Sequence, residues 1–238
     1  MRPFLAPNPD WTMPFAGGVD ARGWAVTGPV VPPADLAALA GDPALAAADA
    51  RGGVRNLLDL PVVRALARSA PVRAAAEAVL GPGCFAVRGL MFDKRAAANW
   101  KVPWHQDLTV AVRERLDVAG FDLWSFKAGV AHAQAPVGLL ERMLAVRVHL
   151  DDCGPDNGPL RLIPASHRSG HLSAAEIEAW RERHAADVGL AASGAILGFR
   201  PLLLHASGPA AAPGPRRVVH LEFAADRLPG GLQWRWTV

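Results

Sequence analysis

Asn99 to Val110 reads N-W-K-V-P-W-H-Q-D-L-T-V, and its centre, His105-Gln106-Asp107, decides how the rest of the chain is read. On an extended strand, residues two apart project from the same face, so an imidazole and a carboxylate would stand side by side here. Such a pair can take two neighbouring positions around one divalent metal ion. A second histidine from elsewhere would complete the two-histidine, one-carboxylate face of non-haem iron oxygenases, leaving other positions open for chemistry. Alone, H-x-D is a common accident of sequence, and a surface pair is its plainer reading. The missing parts have to come from the remaining chain.

The 238 residues, 51% hydrophobic and 20% charged, suit one globular domain over 1–238 with a sizeable core. No apolar run is long and uncharged enough to span a bilayer. The opening M-R-P-F-L-A-P-N-P-D has no signal-like apolar region, so the expectation is a cytoplasmic protein. Cys84 and Cys153 are too few for a disulfide framework, and without a C-x-x-C pair they do not form a thiolate zinc site. The net charge of +3 comes with scattered arginines rather than a basic stripe, so neither a nucleic-acid nor a membrane partner is expected.

Residues 1–22, rich in Pro, Gly and Asp, read as an irregular arm. A short strand at 23–31 and a helix at 34–40 follow, with a break at Gly52-Gly53. Two helices, 61–70 and 71–80, each carry a proline in the first turn, and Gly81-Pro82-Gly83 stops the second. The first 83 residues are thus a mostly helical lead-in without a polar constellation. From Cys84 the chain turns strand-like, with the H-x-D strand expected at 102–112. Residues 113–142 show no clear period, interrupted by Gly120, Gly129, Pro136 and Gly138; a loop of this length is expected to be a lid. Met143 to Asp151 alternates cleanly, with Leu144, Val146, Val148 and Leu150 on one face and Ala145, Arg147, His149 and Asp151 on the other. Asn157-Gly158 signals a hairpin turn, with a return strand at 159–163. Ser173 to Glu176 forms a capping box opening a helix to about Ala186. Strands at 194–207 and 216–225 close the core, placed at 84–225. The pattern is mainly β, a sandwich or jelly roll with flanking helices.

His205, in L-L-L-H-A-S, shares a strand face with Leu203 and Ser207, and a jelly roll can lay that strand against the H-x-D strand. It is the expected third ligand. Eleven residues on, Arg216-Arg217 opens R-R-V-V-H-L-E-F, where an arginine fork can hold a carboxylate with help from the Ser207 hydroxyl. Arg216 shares a face with Val218, His220 and Glu222, and Arg217 with Val219, Leu221 and Phe223. The polar face favours Arg216, with Arg217 as its rival.

H-x-D, H-x-S, an arginine eleven residues past the second histidine, and N-G-P-L-R-L-I-P-A-S-H between them together resemble the phytanoyl-CoA dioxygenase family. The resemblance runs over about 23–225 and is strongest from Phe85. It implies a double-stranded β-helix, a cupin-like jelly roll, and an enzyme using Fe(II), 2-oxoglutarate as co-substrate and O2. By position it implies His105, Asp107 and His205 as iron ligands. Arg216 would face the distal carboxylate of 2-oxoglutarate with Ser207 beside it, and Lys94 and Arg147 would line the same pocket. The implied reaction is hydroxylation of a small organic metabolite with release of succinate and CO2. Related halogenases carry a small residue where Asp107 stands, so Asp107 favours hydroxylation. The competing reading is a cupin-like metal-binding protein or metal-dependent hydrolase that does not use 2-oxoglutarate and needs no carboxylate clamp. His149 is read as either pocket-lining or a satisfied core histidine. Trp104, Trp124, Lys127, His132 and Gln134 flank or populate the lid. His220 has no assigned role, and substrate and oligomeric state stay open.

Overall fold

The computed structural model describes residues 9–46, 53–94, 99–212 and 214–238. Its front segment holds helix α1 (Thr12–Arg22), strand β1 (Trp24–Pro29), helices α2 (Pro33–Ala40) and α3 (Pro43–Ala46), a two-residue strand β2 (Gly53–Val54), and helices α4 (Pro61–Arg68) and α5 (Ala70–Leu80). Prolines sit in the first turn of α2, α4 and α5, where a missing N–H leaves no intrahelical bond unmade. Part of the expected irregular arm is therefore helical. Pro14 falls within the first turn of α1, and Thr12, Phe15, Ala16 and Val19 form one buried stripe at helical spacing. Residues 1–8 of that arm, and Gly52 of the expected break, lie outside the described residues. The lead-in is also not purely helical, since β1 and β2 join the main sheet.

The main sheet has six antiparallel strands in the order β1-β11-β8-β13-β3-β2, where β3 is Phe85–Asp93, β8 Met143–His149, β11 Ala195–Phe199 and β13 Arg217–Ala224. A four-stranded sheet runs β10-β9-β12-β4, with β4 Val102–His105, β9 Leu160–Leu162, β10 Asp187–Gly189 and β12 His205–Ser207. Three further strands, β5 (Thr109–Val112), β6 (Asp122–Lys127) and β7 (Val130–Gln134), make a separate sheet in the order β5-β7-β6. This is a mainly antiparallel jelly roll with flanking helices, as expected.

Alternation assigns the faces. Leu144, Val146 and Val148 of β8 and Val219, Leu221 and Phe223 of β13 pack into a core with Phe15 and Val19 of α1 and Val72 and Ala75 of α5. The opposite faces of the same strands turn toward the four-stranded sheet, where Ala145, Leu160, Leu162, Leu197, Phe199 and Leu203 form a smaller cluster. The inward polar residues of β8 and β13 have nowhere to go but this inter-sheet space.

Several boundaries differ from expectation. The H-x-D strand is broken: β4 ends at His105 and β5 begins at Thr109, so Asp107 lies in a kink between two sheets. The strand expected at 194–207 also splits, into β11 and β12 on different sheets. Asn157-Gly158 does not close a hairpin. β8 belongs to the six-stranded sheet and β9 to the four-stranded one, so the turn serves a crossing between sheets. Within 113–142, β6 and β7 form a hairpin paired through β7 to β5, followed by α6 (Val137–Leu140); Gly129, at φ 77°, sits in its tight turn. The capping box of α7 (Ala174–Arg183) is present in full, although the helix stops short of Ala186. No helix among the described residues is long and apolar enough to cross a membrane.

The seating of α1 depends on a glycine. A Cβ added at Gly198 of β11 would stand 2.5 Å from Cζ of Phe15. Gly198→Ala is expected to lower stability by about 1–3 kcal/mol through overpacking, read as a lower midpoint in urea unfolding with an unchanged slope.

Candidate metal centre

β4 and β12 run antiparallel with His205 directly opposite His105, and the ring centroids are 4.2 Å apart. Each ring's Nδ1 lies 2.9 Å from a carbonyl oxygen, that of Pro103 for His105 and that of Leu203 for His205. A carbonyl only accepts, so Nδ1 carries the proton in each ring and Nε2 presents its lone pair. Both Nε2 atoms stand 3.6 Å from an oxygen of Asp107, one on Oδ1 and the other on Oδ2. One ligand atom from each of His105, Asp107 and His205 lies within 4.8 Å of the others, a spacing that admits one shared metal ion.

The kink holding Asp107 is tied to the loop before β12. Its N–H donates to the Pro201 carbonyl at 2.8 Å. Gln106, buried, donates through Nε2 to the carbonyls of Gly170 and Leu202 and accepts the Leu172 N–H at 2.8 Å. The middle residue of the motif thus aims away from the cluster and locks its backbone. Electrostatics favour the donor forms of His205 and Asp107. Burial, then the neighbouring His105, pushes His205 down to about 3, toward neutral imidazole. Burial would raise the Asp107 carboxyl, but the two histidines, His205 foremost, hold it well below the usual carboxylate range. Burial alone would lower His105, and hydrogen bonding and attraction to Asp107 outweigh it and raise the ring.

The cluster opens into a cavity of about 440 Å³ between the sheets, whose lining includes Lys94, Arg147, Ser207 and Arg216. Lys94, only 1% exposed, donates to Ser207 Oγ at 2.7 Å and to the Gly208 carbonyl at 2.6 Å. Burial, then Arg216 and Arg147, pulls it down to about 8. Arg147 is brought down to about 9 by burial and then by Arg216. The Nε atoms of Arg147 and Arg216 are buried without a hydrogen-bond partner. Among the described residues lining the cavity, the only carboxylates are Asp107 and Glu222. Arg217 faces elsewhere: its backbone N–H, Nε and Nη2 all donate to Asp151. Gly158, at φ 72°, lets the chain pass Lys94 closely; a Cβ there would meet Lys94 Cδ at 2.9 Å.

The remaining expectations scatter. His149 is buried with neither ring nitrogen bonded, and burial followed by Arg147 pushes it down to about 3. It is absent from the cavity wall among the described residues, so it is neither pocket-lining nor a satisfied core histidine. Of the lid group, Lys127 lines the cavity, whereas Trp104 lies under Arg161 and Trp124 under Arg115. His132 is buried and bonded to its own strand, and Gln134 pairs within the β5-β7-β6 sheet. Given no role by the sequence reading were Gln106, Arg55, Arg88, His220 and Glu222. The last two share the strand face of Arg216, and Arg88 shares that of Lys94, so alternation alone could have found them.

An inter-sheet His-Asp-His cluster beside a cationic pocket defines a jelly-roll protein with the donor set of a mononuclear metal centre. More specifically, the chain belongs to the phytanoyl-CoA dioxygenase family, whose model matches residues 36–218. No curated protein matches it. Solved structures share its fold at low identity. AviO1 from Streptomyces viridochromogenes Tue57 is 23% identical with a TM-score of 0.68, covering 95% of this chain and 99% of that one. EctD from S. alaskensis with 2-oxoglutarate and 5-hydroxyectoine is 20% identical with a TM-score of 0.65, covering 88% of this chain and 74% of that one. SnoN, a non-heme alpha ketoglutarate dependent epimerase from nogalamycin biosynthesis, is 17% identical with a TM-score of 0.64, covering 93% and 90%.

The donor set fits a divalent metal, and the unpartnered guanidinium nitrogens fit a small carboxylate beside it. Gln106→Leu is expected to cut metal affinity about 10- to 100-fold while His105, Asp107 and His205 remain. Titration with Co(II), followed by its visible absorption, measures that loss.

Proposed function

We propose that the chain is a non-haem Fe(II)- and 2-oxoglutarate-dependent dioxygenase that hydroxylates a small organic metabolite, releasing succinate and CO2. Fe(II), 2-oxoglutarate and O2 are the cofactor set of the family to which it belongs. The observation that carries the reading is the group of three buried cations, Lys94, Arg147 and Arg216, gathered beside the His-Asp-His cluster. Buried cations without carboxylate partners are costly, and an anion bound among them removes that cost.

In this reading His105, Asp107 and His205 hold the iron, and Arg216 donates to the distal carboxylate of 2-oxoglutarate. Ser207 Oγ lies next to it, held by Lys94, while Arg147 adds positive charge from the cavity floor. Iron with its co-substrate supplies the oxidising chemistry, and the protein supplies position and a dry enclosure. Asp107 occupies the place that a halogenase leaves free for halide, which favours hydroxylation over halogenation. The β6–β7 hairpin, carrying Lys127 to the cavity, serves as its cover.

A metal-dependent hydrolase or simple metal-binding protein has no use for three cations gathered beside its last ligand. Thermal unfolding separates the readings: Fe(II) under argon should raise the midpoint, and 2-oxoglutarate should raise it further. A metal shift with no second shift would favour the alternative. Asp107→Ala is expected to abolish Fe(II)-dependent succinate formation, lowering it at least ~100-fold; unchanged turnover would remove Asp107 from the site.

Lys94 gives the co-substrate pocket a pH dependence. It loses its proton at about 8 in the free protein, and a bound dianion favours the charged ammonium, so binding above that pH must take up a proton. The affinity for 2-oxoglutarate should fall as pH rises through about 8 and stay flat below it. Calorimetry in buffers of different ionisation enthalpy reads the proton uptake directly, and Lys94→Met should abolish it.

A further inference from the structure

We propose that the primary substrate carries an acidic group, carboxylate or phosphate, which docks on Arg55, Arg88 and Lys127 at the end of the cavity opposite the 2-oxoglutarate pocket. This rests on the oxygenase reading above, because it needs the Lys94–Arg216 end to be taken by the co-substrate.

The cavity floor is built from β3 and β13, and their register lays it out. Lys94 bonds through its N–H to the Arg216 carbonyl at one end, Leu90 pairs with His220 in the middle, and Arg88 pairs with Glu222 at the other end. All of these residues line the cavity. Lys94 lies six residue steps along from Arg88, roughly 20 Å at about 3.3 Å per step. The even spacing turns both side chains to the same face. The floor therefore has two charged ends with an apolar step, Leu90, between them. The His-Asp-His cluster lies over the middle: His220 is near enough to help hold the Asp107 carboxyl down.

The second end has more positive charge than it can use. Arg88 Nη1 donates to Glu222 Oε1 at 2.9 Å, which neutralises one pair. Arg55 makes no hydrogen bond or ion pair with any described residue, and Lys127 donates only to Thr109 Oγ1 at 3.3 Å. Both are pushed down from their usual values, by burial first and next by the Arg88 charge. Two mutually repelling cations thus converge at the mouth from separate elements, Arg55 following β2 and Lys127 at the hairpin. They supply what an anionic substrate needs and what a neutral or cationic one does not. At about 440 Å³ the whole cavity is near the small end of the usual ligand range. A compact acid therefore fits, its carbon skeleton laid over Val54 and Leu90 toward the metal.

The test uses full-length protein loaded with redox-inert Ni(II) and saturated with 2-oxoglutarate. Pentanoate, n-butyl phosphate and neutral pentanamide are titrated by calorimetry. At least one acid should bind tenfold or more tighter than pentanamide, as expected when charge-assisted hydrogen bonds are gained. The tighter of the two acids identifies carboxylate or phosphate. Arg55→Gln with Lys127→Gln should erase the preference, and the charge-retaining pair Arg55→Lys with Lys127→Arg should keep it, which separates lost charge from lost folding. Pentanamide binding as well as the acids, or a preference surviving the Gln pair, overturns the proposal. If 2-oxoglutarate itself fails to bind the wild-type protein, the oxygenase reading falls instead. The acid titrations, run then without it, still report whether this end of the cavity selects anions.

Discussion

The antiparallel pairing of β4 with β12 is the constraint on which the centre depends. Directly opposed residues in such a pair hold their Cβ atoms about 4.5–5.5 Å apart, so setting His205 against His105 forces two imidazoles, one hundred residues apart in the chain, to the same side. The carboxylate needs a different device. Two residues further along a straight strand, Asp107 would stand roughly 6.6 Å beyond His105. Breaking the strand at Gln106 turns it back between the two Nε2 atoms. Gln106 anchors the break to distant loops, donating to the carbonyls of Gly170 and Leu202 and accepting the Leu172 N–H. Removing it would leave those groups unpaired at about 1–3 kcal/mol each. The motif is therefore held by its least conspicuous residue.

A second constraint is electrostatic. The cavity lining carries six cationic side chains, Arg55, Arg88, Lys94, Lys127, Arg147 and Arg216, against the carboxylates of Asp107 and Glu222. A sheet interior is a poor place for unpaired charge, and the depressed values of Lys94 and Arg147 register that cost. A core selected only for stability would replace them with apolar residues of similar volume. Their retention makes sense where ligand binding restores the balance, and functional sites are where such local conflicts concentrate.

Much of this was legible in the sequence because strand alternation is a strong rule. It put Arg216 on the polar face of its strand and Arg217 on the other, and the structure turns Arg216 to the cavity while Arg217 is spent on Asp151. The same rule pointed at His220, Glu222 and Arg88, which were passed over because no motif named them. Other features were invisible for physical reasons. α1 was hidden by Pro14, Gly17 and Gly18, whose low propensity was overridden by the packing of Phe15 and Val19. The hairpin at β6–β7 has no clean period because β6 is mostly solvent-facing and irregularly registered against β7. The kink at Gln106 depends on carbonyls at Gly170 and Leu202, sixty-four and ninety-six residues away, and no local pattern encodes partners so distant.

The origin of each wall residue suggests how the fold divides its labour. The candidate metal donors and the Lys94–Arg216 end come from paired strands or their immediate ends, the most rigid parts of a jelly roll. Arg55 and Lys127 come from the segment after β2 and from a hairpin tip, where the backbone is free to change length and direction. In the proposed reading, a protein built this way can keep iron and co-substrate geometry fixed while substrate contacts drift. The fold itself is shared at 17–23% identity by AviO1, EctD and an epimerase. In the proposed reading one of the two substrate contacts comes from the lead-in, which looked like padding because a single arginine after a two-residue strand carries no sequence pattern. Its significance exists only once β2 has paired with β3 and brought Arg55 to the mouth of the cavity.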